Sequence, residues 1–150
     1  MEFREGMACP VCESGKLFLV NKTIEFNYKR NIRKFETPVY TCPECGEEFL
    51  GAGDQKEIDR QLTNSRRQID GLLTPEDIRR IRQKFGYTQI EFAKVLKIGE
   101  KNFARYENGQ SAQGRAMDNL LRVLDCYPES IHVMGGRYPA ETNNMIHSIC

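Results

Sequence analysis

Residues 74–109 read TPEDIRRIRQKFGYTQIEFAKVLKIGEKNFARYENG, and three successive helices are written in them. Thr74 suits an N-cap, Pro75 the first helical position, and Asp77 the positive end of the helix dipole. Ile78, Ile81 and Phe85 line one face, and Gly86 supplies a stop. Thr88 and Glu91 form a capping box for a second helix that carries Phe92, Ala93, Val95 and Leu96. After a short turn over residues 97–99, a third helix runs to about Tyr106 and ends at Asn108-Gly109. Lys101 and Arg105 stand four apart and share the face left outward once Phe103 turns in. On residue types alone, such a pair is more often a solvated face than a contact surface.

Downstream, Met117, Leu120, Leu121 and Leu124 mark a fourth helix that stops at Pro128. Upstream, Asp54 with Glu57 reads as a capping box, and Ile58, Leu62 and Ile69 make a thin apolar stripe on a connecting helix. Residues 16–41 change period: LFLV, TIEFNY and FETPVY alternate as strands, with the basic stretch KRNIRK between the last two. Residues 135–150 have few apolar positions and no period, so a flexible tail is expected there.

The chain of 150 residues accommodates one average domain or two small ones, and small ones need a metal, disulfides or an oligomer interface. No apolar run approaches the roughly 20 residues of a membrane span, and the start MEFREGMACP has no apolar signal region. A reducing cytoplasm is therefore the expected compartment. The net charge of +1 is uneven: residues 1–55 hold 7 Lys/Arg against 9 Asp/Glu, whereas residues 56–127 hold 14 against 10. A basic second half suits a polyanionic partner, though many helical surfaces carry as much.

Cys9-Pro-Val-Cys12 and Cys42-Pro-Glu-Cys45 are two CxxC pairs, each followed by a glycine, Gly15 and Gly46. Two such turns complete a tetrahedral S4 shell, so Cys9, Cys12, Cys42 and Cys45 are the expected ligands of one structural Zn²⁺ per chain. Four protein ligands leave no open position for catalytic water. A dithiol redox centre needs one CxxC on a thioredoxin-like scaffold, which the pattern lacks. Cys126 reads as a small core residue at a helix end, and Cys150 is assigned no role. No Ser/His/Asp or Cys/His set is present, because His132 and His147 both lie in the C-terminal stretch; an enzyme is not expected.

The run TQIEFA, the short turn and RYENG resemble the Xre/Cro-type helix-turn-helix. That resemblance implies that Lys101, Asn102 and Arg105 meet base edges, and that Thr88, Gln89 and Asn108 meet phosphates. It also implies an ion pair, Arg82 with Glu107, locking the recognition helix to the first helix; an exposed pair worth little is the other reading. Lys97 occupies the turn position usually held by glycine, which costs about 1 kcal/mol of left-handed strain.

The combination of CPxC pairs, a linker helix, RYExG and LLRVLDxxPE is similar to the MqsA-type antitoxins over about residues 7–131. The resemblance implies a type II toxin-antitoxin function: the zinc domain neutralises a cognate toxin, often an RNA-cleaving one, while a homodimer represses the operon on an inverted repeat of double-stranded operator DNA. In the best-known pattern an Asn and an Arg read bases, whereas here Lys101 stands at the Asn position with Asn102 beside it. A zinc-containing helix-turn-helix regulator without a toxin partner is the alternative. The expected architecture is α+β in two domains. A small, zinc-bound, β-rich domain covers residues 1–53, and a helical linker covers 54–73. An all-α five-helix domain for DNA binding and dimerisation covers 74–134, ahead of the tail.

Overall fold

The structure, a computed structural model, describes residues 2–138. It is α+β, with a three-stranded antiparallel sheet followed by helices. The chain divides into two compact units, Met1–Ser65 and Arg66–Cys150.

In the first unit, β1 (Phe18–Tyr28) and β2 (Asn31–Thr41) pair antiparallel from Phe18↔Thr41 to Tyr28↔Asn31, and β3 (Glu48–Phe49) adds to β2 at Tyr40 and Thr41. The strand order is β1-β2-β3. LFLV and TIEFNY are thus one strand, and only Lys29-Arg30 of the basic stretch is a turn. Both turn residues have positive φ, 47° and 65°, which gives the twist that a two-residue hairpin loop needs. Asn31–Lys34, read as part of a polar connection, are strand residues because so tight a turn returns the chain into register at once. Pro38, which lacks an N–H, sits where β3 does not reach.

The apolar interior of this unit is small. Cys9, Leu17 and Cys42 are buried, with Phe3, Tyr40 and Phe49 packed around them. Burying one leucine is worth about 1.5–3 kcal/mol. Ordering the backbone costs about 1–2 kcal/mol per residue, so this core cannot hold the unit unaided.

Helix α1 (Ala52–Asp70) begins before Asp54, whose amide donates to the Gly51 carbonyl at 3.1 Å. Asp54 therefore lies inside the first turn, and the capping box expected with Glu57 does not form at that position. Glu57 instead pairs with Arg60 at 2.7 Å and accepts from Gln61 at 3.1 Å, and these partners hold its carboxyl below the usual range, Gln61 foremost.

The second unit packs α2 (Pro75–Lys84), α3 (Gln89–Leu96), α4 (Glu100–Asn108), α5 (Arg115–Cys126) and a 3₁₀ helix (Pro128–Met134) around one core. Ile78, Ile81, Phe85, Phe92, Ala93, Leu96, Phe103, Leu121, Leu124 and Ile131 fill it. Phe92 meets Phe103 edge-on at 5.3 Å between ring centroids, which joins α3 to α4. Capping boxes close the N-termini of α2 (Thr74 with Asp77) and α3 (Thr88 with Glu91). Buried carboxylates tie helices together: Asp125 on α5 receives Arg80 at 2.9 Å and Lys84 at 3.2 Å from α2. Of the stretch expected to be a tail, residues 135–138 are described; the Arg137 amide donates to the Tyr87 hydroxyl at 2.6 Å, and the Tyr138 ring meets Phe85 edge-on. Residues 139–150, with His147 and Cys150, lie outside the described residues.

Candidate metal centre and nucleic-acid interface

The Sγ atoms of Cys9, Cys12, Cys42 and Cys45 all lie within 4.8 Å of one another. Cys9 to Cys45 and Cys12 to Cys42 both measure 3.6 Å. A tetrahedron of thiolates at a Zn–S distance of about 2.3 Å has S···S edges of about 3.8 Å, so the four donors fit one such ion.

Each CxxC forms a knuckle by local hydrogen bonds. In the first, Glu13 N donates to the Cys9 carbonyl at 2.9 Å, Cys9 N to the Gly15 carbonyl at 2.8 Å, and Gly15 N to Cys12 Sγ at 3.4 Å. In the second, Gly46 N donates to the Cys42 carbonyl at 2.8 Å. The two glycines serve different needs. Gly46 takes the left-handed φ of 77°. At the corresponding place in the first knuckle stands Glu13, with φ of 57°, while Gly15 is small because a Cβ there would collide with Cys42 Sγ. Glu13→Gly is accordingly expected to stabilise the module by about 0.5–1 kcal/mol, read as a rise in its thermal midpoint with the metal bound.

The thiols are unlike one another. The Gly15 amide, foremost, draws Cys12 down to about 7. At Cys45 the Glu47 amide pulls downward, but burial and the thiols of Cys42, Cys9 and Cys12 outweigh it and push the group up to about 12. A cation that binds all four thiolates displaces protons from the cluster, so its affinity falls as pH falls.

In the helical unit the structure brings Arg82 and Glu107 together. Arg82 Nε donates to Glu107 Oε1 at 2.6 Å, and Arg82 Nη1 donates to the Tyr87 carbonyl at 2.8 Å. The side-chain amide of Gln89 donates to Glu107 Oε2. Lys101, Asn102, Arg105 and Asn108 are exposed on α4, and Phe103 and Glu107 are buried on its other side. Thr88 is exposed, with its hydroxyl accepting from Glu91 N at 3.2 Å. Lys97 adopts the left-handed cap of α3 at φ 59°, where glycine is usual.

Residue types did not reveal the acidic anchor Asp118. Its Oδ1 accepts from Leu73 N at 2.8 Å and its Oδ2 from Arg122 Nε at 2.8 Å. Burial raises its pKa, but Arg122, the Leu73 amide and Gln113 together outweigh burial and hold the carboxyl below the usual range. The only trace in the sequence is the Asp118–Arg122 spacing of one helical turn. Among the described residues, no helix is long and apolar enough to cross a membrane.

The family model described as the antitoxin component of a bacterial toxin-antitoxin system, MqsA, matches residues 7–134. The chain is also 29% identical over 129 residues to Antitoxin MqsA of Escherichia coli (strain K12), an alignment that spans 84% of this chain and 98% of that protein. The match runs through both units, from the first cysteine knuckle to the end of the 3₁₀ helix, and the chain belongs to the MqsA family of toxin-antitoxin antitoxins.

Proposed function

We propose that this chain is the antitoxin of a type II pair, holding its toxin through the zinc module and repressing its own operon through α4. The observation that carries the reading is the family match over residues 7–134, which joins a four-thiolate module to an exposed basic helix in one chain. Zn²⁺ is the proposed ion, because a closed S4 set suits its structural role, and free thiolates of this kind persist in a reducing cytoplasm. The reading includes no catalytic step.

For the toxin, β1 is the feature that supports the reading. It is the outer strand of the sheet, and Phe18, Leu19 and Val20 are exposed at 51%, 46% and 45%. An outer strand offers N–H and C=O groups for strand addition, with exposed apolar side chains to set specificity. The toxin, an RNA-cleaving protein in this reading, docks there. The test is to co-express the full chain with the product of the neighbouring small reading frame. Rescue of growth and co-purification are expected; if neither occurs, the regulator without a toxin partner takes its place.

For the operator, α4 presents Lys101, Asn102 and Arg105 to base edges, while Thr88, Asn108 and the N-terminus of α3 at Gln89 meet phosphates. Val123, Tyr127 and Val133 are exposed at 47%, 62% and 90%, an apolar set on α5 and beyond that suits a second copy in a homodimer on an inverted repeat. Arg105→Ala is expected to cost about 1–3 kcal/mol on promoter DNA and to flatten discrimination at one position. Equal binding by parent and variant at moderate salt would show that this face does not read bases.

A further inference from the structure

Arg67, in the last turn of α1, is 2% exposed. So deep a guanidinium must find acceptors for its N–H groups. Nη2 donates to the Tyr106 carbonyl at 2.9 Å and to the Ser111 carbonyl at 2.6 Å, while Nε donates to Gln113 Oε1 at 3.1 Å. Tyr106 is in the last turn of α4, and Ser111 lies in the loop that leaves it. Gln113 is buried too, and its amide donates to the Leu73 carbonyl at 2.9 Å and to Asp118 Oδ1 at 3.1 Å.

The C-terminal end of α4 is thus gripped through its main chain by a cation, where the helix dipole favours one. At its N-terminal end Gly99 provides no side-chain cap. Glu107, paired with Arg82, fixes α4 by one side chain on its buried face. Gly109, in the left-handed cap, ends the helix, and Arg67 ties the main chain on either side of that end, at Tyr106 and Ser111, to α1. The division of the chain after Ser65 places this turn of α1 with the helical unit.

We infer that Arg67 is a positioning residue for DNA reading: it holds α4 at the depth and tilt from which Lys101, Asn102 and Arg105 reach base edges. The inference rests on the operator-binding reading above. Base contacts need short, directional hydrogen bonds, while phosphate contacts by flexible Lys and Arg tolerate a small displacement. Loss of Arg67 should therefore damage discrimination more than general affinity.

The test measures, for the full-length zinc-loaded chain, affinity for the duplex immediately upstream of its own gene and for a random duplex of equal length, at one salt concentration. Arg67→Met should lose about tenfold in the ratio of the two affinities, with binding to the random duplex unchanged. Arg67→Lys keeps the cation but not the fork and should lose less; it serves as the readout if Arg67→Met does not fold. Arg80→Met breaks the pair with Asp125 without touching α4 and should lower the melting temperature while keeping the parent ratio. The inference is overturned if a folded Arg67 variant keeps the parent ratio, or loses no more of it than Arg80→Met. It is equally overturned if Arg67→Met is unfolded and Arg67→Lys is indistinguishable from the parent. A parent with no preference for its own upstream duplex refutes the DNA-reading function itself and this inference with it.

Discussion

Cys42→Ser is expected to empty the metal centre and unfold residues 7–50. Cys42 is fully buried, its Sγ stands 3.6 Å from that of Cys12, and its amide and carbonyl both hold the second knuckle. A hydroxyl is a poor substitute for a soft thiolate. Structural zinc in small modules supplies about 10–16 kcal/mol of apparent binding energy, and the small interior of Cys9, Leu17 and Cys42, with Val39 buried on β2, cannot replace it. The helical unit has a separate core and should keep its own unfolding transition. Elemental analysis should fall from one metal per chain to none, and amide hydrogen exchange should lose protection across residues 7–50, β1, β2 and β3 included, while the helical unit keeps its own. A variant that keeps both its metal and that protection would contradict the four-ligand assignment.

Arg82→Met is expected to destabilise the helical unit by about 3–5 kcal/mol. The side chain of Glu107 is 0% exposed and that of Arg82 is 15% exposed, so removing the cation strands a buried carboxylate with the neutral Gln89 amide still donating to it. At about 4–8 °C per kcal/mol for a unit of this size, the midpoint should fall by well over 10 °C. The double variant Arg82→Met with Glu107→Met should be milder than Arg82→Met alone, because no buried charge is left. A single-variant cost below about 1 kcal/mol would instead be the value of a solvated pair.

What could be read beforehand was local chemistry. The capping box of Thr88 with Glu91, the doubled CxxC and the turn at Lys97 are short-range patterns, and each has its geometry in the structure. Asp54 with Glu57 shows the limit of the same logic, since the helix starts at Ala52 and the pattern falls inside it. KRNIRK looked like a connection because its residues are polar. Its strand character depends on pairing with β1, and composition does not carry that information. Arg67, Gln113, Asp118 and Asp125 were invisible for a related reason: a period marks apolar stripes, while a buried charge is chosen by acceptors that lie elsewhere in the chain. The place of Gln89 was readable, but its engagement with Glu107 was not.

The pairing of β1 with β2 spans the interval between the two cysteine knuckles, from Phe18↔Thr41 next to the four-cysteine cluster to the Lys29-Arg30 tip. Most of this ribbon is exposed on both faces, so burial alone specifies its register weakly. A slip by one residue would carry Cys42 and Cys45 about 3.3 Å along the strand direction relative to Cys9 and Cys12, beyond the reach of a single ion. Capture of a metal by the four cysteines would then act as proofreading of the hairpin: a misaligned ribbon could not close the site, and only the aligned one would be withdrawn from the folding equilibrium.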